Sequence, residues 1–323
     1  MEQPLAPGRV IISEYFNPTK SAIQQIRAVP DGSVLVFHEL ENLALSIMMA
    51  TYARAARRKW RIVFDLHDLP DRPMNQVVTP RRRAMDATLY RLLQVLPKFD
   101  IPVITVSEGL AKVLQDRLNV SADVVFSLPP GHPRPVTPPD VSRIVYFGMI
   151  NGDRIPIGVV HQLADAGMAL DVYGRYSPFA RADFPGQLEP VLEQTGGSVL
   201  GPYSPGDLTF LNGYSASLML FQRMSVNYQY SMPNKLFQSL QARLVCVVSD
   251  HLQEMRETFE HTGAVQTLEQ FLDGPRDVDW AAVDAIMATM AADSRANYLR
   301  ALGVSSQTPS YERFPVDEQG LSA

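Results

Sequence analysis

The stretch SMPNKLFQSLQARLVCVVSD, residues 231–250, decides how this chain is read. Pro233 suits a first helical turn, where its missing N–H is no loss, so a helix is expected from about residue 233. Asn234 and Lys235 then sit where the helix dipole attracts an anion. Lys235 and Gln238 are three apart and share a face, offering a cation to a diphosphate and an amide to a ribose hydroxyl. LVCVVSD (244–250) follows as a buried strand, which makes the segment part of a strand-helix-strand unit with its site at the crevice. A lysine in a first helical turn is also commonly just solvated, and spacing alone leaves both readings open.

Outward from this segment the same alternation repeats. On its N-terminal side RIVYFG (143–148), ALDVYG (169–174), SVLG (198–201) and SASLMLF (215–221) are short, apolar and β-rich. Further back VIIS (10–13), SVLVFHE (33–39), RIVFDLHD (61–68), PVITVSE (102–108) and DVVFSLP (123–129) have the same character. Helical patterns at 41–59, about 80–97 and 108–119 separate them, the last capped by Ser107. An Ala- and Met-rich helix or helix pair is expected at 279–302. Strand-helix alternation in both halves predicts two open α/β sheets.

Between the halves lies PPGHPRPVTPP (129–139), six prolines in eleven positions, which blocks both helix and central strand. It is read as a linker, with His132 exposed inside it. The expected domains are therefore 1–128, a linker at 129–141, a second domain at 142–303 and a tail at 304–323. The length of 323 residues accommodates two medium cores.

Composition narrows the class. Charged residues make up 20 % and hydrophobic residues 46 %, ordinary for a globular enzyme, and no apolar run reaches 18 residues. The start, MEQPLAPGRV, lacks the order of a secretory signal, and the single Cys246 sits in an apolar run as a small buried hydrophobe. A cytoplasmic location is expected. Residues 1–135 hold 17 Lys and Arg against 13 Asp and Glu, whereas the remainder holds 12 against 21. Two stretches, RAARRKWR (54–61) and RRR (81–83), carry much of the basic excess. They read either as solvated helix and loop or as a patch for an anionic membrane surface, peripheral at the inner face, or for a phosphorylated acceptor. Nucleic acid is not expected, since neither stretch interleaves aromatics in a recognised module.

Ligands in doubly wound sheets bind beyond the carboxyl ends of strands, which singles out the polar residues there. After RIVFDL come His67 and Asp68, a pair suited to orienting an acceptor hydroxyl or removing its proton. After PVITV come Ser107 and Glu108, expected to line the same cleft or to cap a helix. RIVYFG ends in Gly148 and leads into MINGDRIP (149–156), and Gly148, Asn151 and Gly152 let backbone N–H groups approach a phosphate while Arg154 supplies charge.

The order of segments resembles that of family-4-like retaining glycosyltransferases of the GT-B fold. RIVFDLHDLP is similar to their first-domain strand ending in His-Asp, and VITVSEGLAKVL to the strand and helix before their linker. IVYFGMI, LDVYGR and GPYSPGDLTFLNGYSASLMLF follow their second-domain course, and PNKLFQSLQARLVCVVSD resembles their donor-binding stretch. The likeness spans roughly residues 60–250. It implies two facing Rossmann-like domains with parallel sheets and a cleft between them. It further implies a nucleotide-diphosphate sugar as donor substrate, no cofactor, no metal, and an acceptor hydroxyl. By position, Gly148, Arg154, Asn234 and Lys235 would face the diphosphate. Tyr173, Gly174 and Tyr203 would lie near the base, Gln238 near the ribose, and His67 and Asp68 on the acceptor side.

The sequence departs from this pattern at four places. The family's paired glutamates fall at Tyr230 and Gln238, its glycine at Arg243 and its proline at Val245, while IISEYFNPTK lacks a glycine-rich acceptor loop. Two alternatives follow: a subunit that keeps the fold without turnover and works with a partner chain, and a sugar-nucleotide epimerase. The latter needs several acid-base groups in the cleft, for which His67, Asp68 and Glu108 are the candidates.

Overall fold

A computed structural model describes residues 10–13, 29–71, 79–129, 140–204, 207–274 and 276–304. His132, most of the Pro-rich linker, the segment after Ser13 and the C-terminal tail lie outside the described residues.

In the first half, strands β1 (Val10–Ser13), β2 (Val34–His38), β3 (Arg61–Leu66), β4 (Val103–Thr105) and β5 (Ala122–Val124) form one parallel sheet in sequence order. Helices α1 (Leu43–Ala55), α2 (Pro80–Val95) and α3 (Glu108–Leu118) connect β2 through β5. Right-handed crossovers in a sheet of sequential order put all helices on one face. Alternate residues Leu35, Phe37, Ile62, Phe64 and Leu66 pack there, in a core with Leu93, Leu110 and Leu114. The residues between them, Val34, Val36, Val63 and Ile104, face the other side and need a separate cover.

The second half forms a six-stranded parallel sheet in the order β11-β10-β9-β6-β7-β8. Its strands are β6 (Asp140–Ile150), β7 (Ala169–Tyr176), β8 (Ser198–Gly201), β9 (Tyr214–Met219), β10 (Val245–Val248) and β11 (Val265–Thr267). Counted from β6, this is the doubly wound Rossmann order, whose strand order reverses between β6 and β9. Helices α4 (Ile157–Asp165) and α5 (Phe184–Gln194) cover one face through Val160, Leu163, Leu188 and Leu192. Helices α6 (Val226–Gln229), α7 (Asn234–Gln241), α8 (Gln253–Phe259), α9 (Leu268–Leu272) and α10 (Trp280–Leu302) complete the half. Leu236, Phe237 and Leu240 of α7 pack with Met219, Cys246 and Val248 on the other face. Cys246 is fully buried, and burial pushes its thiol up to about 12, as its reading as a small hydrophobe requires.

Helix α10 is a single helix of 23 residues and supplies the missing cover. Its last turns place Ala301 and Leu302 against Val34, Val36, Val63 and Ile104 of the first sheet. Arg61 donates to the Arg300 and Ala301 carbonyls, and Asn297 Nδ2 donates to the Val124 carbonyl at 2.8 Å. The chain thus returns from the second sheet to finish the first, so the end of the expected 142–303 domain packs on its neighbour. Strand β6 likewise begins at Asp140, within the segment expected as linker.

Candidate functional site

The carboxyl ends of β6 and β9 flank the switch point, and the sequence there builds a cationic surface. Gly148, near the end of β6, has φ +132, and the space where its Cβ would stand lies 3.2 Å from Lys235 Nζ. The absent side chain is what lets Lys235, from the first turn of α7, reach back over β6. Its ammonium lies 4.6 Å from the centre of the Tyr146 ring. Burial, then the neighbouring Arg154, lowers Lys235 to about 7. Arg154 follows β6 in a turn fixed by Asn151, whose Oδ1 accepts the Arg154 N–H at 3.0 Å. Its guanidinium lies 5.1 Å from the Phe221 ring centre, beyond the end of β9. Among the described residues neither cation is held in an ion pair, and each rests on an aromatic face.

Gly174 stands opposite Gly148 in the β6–β7 register. A Cβ there would meet the Gly148 carbonyl oxygen at 1.8 Å, so the residue is dictated by the strand pair itself. Tyr173 and Tyr203 come together around Phe210, at ring separations of 4.4 and 5.2 Å, with Phe147 at the base of the cluster. Gln238 is buried on α7, three residues beyond Lys235.

Facing these groups, the first half contributes His67 and Asp68 from the end of β3. They share a cavity of about 180 Å³ with Ser127 and, from the second half, Asn227, Ser231 and Asn234. Asn234 opens α7, so the helix N-terminus and the His67–Asp68 pair meet across one cavity. The Asp65 hydrogen bond raises His67 above its ordinary value, against the opposing pull of burial. Burial raises Asp68, while His67 and Arg154 pull it down. Ser107 and Glu108 do not line this cavity. Ser107 is fully buried as the cap of α3, its Oγ accepting the Leu110 N–H, and Glu108 is exposed.

Five further residues come together here. His38 and Asp65 pair beside His67, and the next residue, Glu39, has φ 64 and ψ 152. Asn227 clasps the backbone of Leu69 in both directions, at 2.8 and 3.0 Å. Glu254, from α8, accepts the N–H groups of Glu108 and Gly109 across the two halves. The strand-end rule that selected His67 applies equally to His38, which ends β2. Asn227 and Glu254 carry no motif, because their partners are backbone groups distant in sequence.

No known protein family and no curated protein matches the chain. Solved structures do match. TarM from S. aureus aligns with a TM-score of 0.56 at 11 % identity, over 83 % of this chain and 51 % of its own. The lipopolysaccharide outer core galactosyltransferase WaaB aligns with a TM-score of 0.54 at 14 % identity, over 87 % and 77 %. HepE from Anabaena, solved with UDP and glucose, also gives 0.54 at 14 % identity, over 87 % and 76 %. The fold is GT-B. The chain spans about half the length of TarM.

Within this GT-B framework the departures acquire physical reasons. Arg243, where the resemblance leads one to expect glycine, keeps a glycine-like backbone with φ 62. Its side chain is held by Asp284 at 2.7 Å and by the Trp280 ring, 5.0 Å from its centre. Tyr230, where the resemblance leads one to expect a glutamate, packs its ring onto Gly109, where a Cβ would meet it at 2.0 Å. Val245 opens β10 directly. Among the described residues no helix is long and apolar enough to cross a membrane.

Proposed function

We propose that the chain is a glycosyltransferase that moves a sugar from a nucleotide diphosphate to an acceptor hydroxyl, with retention. The observation that carries this reading is the pair Arg154 and Lys235, which converge at the switch point of the second sheet without ion-pair partners among the described residues. Two cations on aromatic supports, beside a helix N-terminus, suit a diphosphate leaving group. Tyr173, Tyr203 and Gln238 are assigned to the nucleoside, and His67 and Asp68 to the acceptor.

In the transfer, the bond from acceptor oxygen to the anomeric carbon forms as the bond from that carbon to the diphosphate breaks. The bonding pair leaves with the diphosphate, and the acceptor proton passes to a diphosphate oxygen. Arg154 and Lys235 balance the charge that develops there, so no protein nucleophile and no metal at the diphosphate are invoked. WaaB, by its name a galactosyltransferase, and HepE, solved with UDP and glucose, support a sugar nucleotide as the donor class.

A thermal-shift series with UDP, GDP, ADP, dTDP and CMP tests the reading, because a ligand of the folded state must raise the melting temperature. A shift with one nucleotide, followed by transfer from its sugar conjugate, is the expected outcome. No shift with any of them would sink it. A second reading, a nucleotide-binding subunit without turnover that acts through a partner chain, rests on Tyr230, which is occupied in packing on Gly109 where the family has an acid. Binding without transfer would select that reading.

A further inference from the structure

His38 and Asp65 stand directly opposite each other at the ends of β2 and β3, and His67 follows two residues on. His38 Nδ1 lies 2.7 Å and His67 Nε2 3.2 Å from the same carboxylate oxygen, Asp65 Oδ2. One donor atom from each of the three side chains falls within 4.8 Å of the other two. The rings meet edge to face, 6.1 Å between centres. Glu39, next to His38, holds a backbone conformation that belongs essentially to glycine, and such strain concentrates at functional sites. Its carboxyl group feels Asp65 and Asp68 as well as His67. Three carboxylates, Asp65, Glu39 and Asp68, therefore act on His67, Asp65 also holds His38, and among the described residues the Arg or Lys cation acting on them is Arg154, on Asp68.

We propose that His38, Asp65 and His67 bind a divalent transition-metal ion, with its open side toward the interdomain cavity that His67 lines. Two imidazoles and one carboxylate are the donor set of three-ligand zinc sites, whereas magnesium and calcium prefer all-oxygen cages. Donors about 2.0–2.2 Å from a tetrahedral ion stand roughly 3.3–3.5 Å apart, so the His38–Asp65 contact of 2.7 Å must open on binding, while Asp65 and His67, at 3.2 Å, already stand near that spacing. The surplus of carboxylates favours a dication at this place over a monocation or an empty pair of neutral rings. At the open position the ion takes a water or the acceptor hydroxyl and lowers its pKa. That use rests on the transfer reading above, whereas the site itself does not.

The test uses the full chain, stripped with a chelator and dialysed. Zn²⁺ alone is titrated by calorimetry, and Co²⁺ alone is followed by its visible absorption. We expect about one equivalent of either ion, and affinity weakened by at least about 10-fold in His38→Ala and in Asp65→Asn. Circular dichroism checks that each variant is folded. Should a variant fail to fold, ¹⁵N spectra of the wild-type imidazoles must show two rings perturbed together at one equivalent of Zn²⁺. Substoichiometric binding by the wild type, or equal affinity in folded variants, overturns the site and leaves Asp65 as a hydrogen-bond acceptor for two imidazoles. Nucleotide binding is measured on the stripped protein, so failure of the metal site and failure of the transfer reading give separate signals.

Discussion

The carboxylate of Glu254 in the second half accepts the Gly109 N–H of the first half at 2.9 Å, and its other oxygen accepts the Glu108 N–H at 2.7 Å. One side chain of α8 thus caps helix α3 across the two halves. Burial pushes Glu254 up to about 7, against the lowering effect of the two amides. Between its ordinary value and about 7, the folded chain holds a proton that the unfolded chain has released. Stability from this group is therefore greatest in acid and is lost as pH rises through that window, by on the order of 2–3 kcal/mol. Melting temperatures of wild type and Glu254→Gln, compared from pH 5 to 8, should show the wild type's relative advantage shrinking as pH rises. A constant difference across the range would refute the assignment.

Gly174 offers a test of the fold rather than the site. In Gly174→Ala the new Cβ would stand 1.8 Å from the Gly148 carbonyl oxygen, a backbone atom that moves only if β6 and β7 part. We expect a loss of about 3 kcal/mol or more, read as a melting temperature lowered by many degrees or as insoluble protein. Gly186→Ala is the matched control. Gly186 lies inside α5 with open space around its missing Cβ, and alanine there should stabilise by roughly 0.5–1 kcal/mol. A mild effect at Gly174 would mean that the two strands are not in this register.

These positions also mark what sequence can carry. The strands were legible because each is a short apolar run bounded by polar residues, and β1 and β8 fall where VIIS and SVLG lie. The approach of Lys235 to Arg154 was legible because one opens the helix and the other follows the strand that meet at the switch point of an α/β sheet. Strand β11, Val-Gln-Thr, shows no apolar run, because its central position is the buried polar residue Gln266. The return of α10 to the first sheet follows from a bare face that no local pattern reveals. Ser107 was legible as a cap, yet its place against Glu254 instead of the cavity depends on a contact across more than a hundred residues.

The two basic clusters, which sequence invites one to merge, lie at opposite ends of the first sheet. Arg54 to Lys59 precede β3, and Arg54 Nη1 reaches the Lys98 carbonyl just before β4, so this cluster marks the amino edge. Helix α2 runs about 24 Å from the carboxyl edge back to it, which leaves Arg81, Arg82 and Arg83 at the cleft end. At the amino edge Asp100 and Asp31 pair with Arg54 and Arg58, at 2.5 and 3.6 Å, and at the cleft end Arg82 pairs with Asp86 at 3.2 Å. We propose that the cleft end meets an anionic membrane surface or acceptor. Arg81→Gln with Arg83→Gln should weaken sedimentation with anionic vesicles severalfold, at about 1 kcal/mol per charge, while Arg57→Gln with Lys59→Gln should matter less. Binding that ignores the anionic lipid fraction would end this proposal.

Lys235 should make nucleotide binding depend on pH near neutrality, where an ordinary lysine site is flat. Since Lys235 titrates at about 7 in the free protein, part of the population is uncharged at pH 7.5. A diphosphate favours the ammonium, so binding must take up a proton, and affinity must rise as pH falls from 8.5 towards 6.5. Calorimetry of UDP binding in two buffers of different ionisation enthalpy measures that uptake directly. Lys235→Ala should remove it and weaken binding by roughly 1.5–3 kcal/mol. Arg154→Ala should weaken binding by a similar amount but raise the pH at which uptake occurs, because the positive charge that depresses Lys235 has gone. Affinity independent of pH in the wild type, together with unchanged affinity in both variants, would move the diphosphate away from the Gly148 turn.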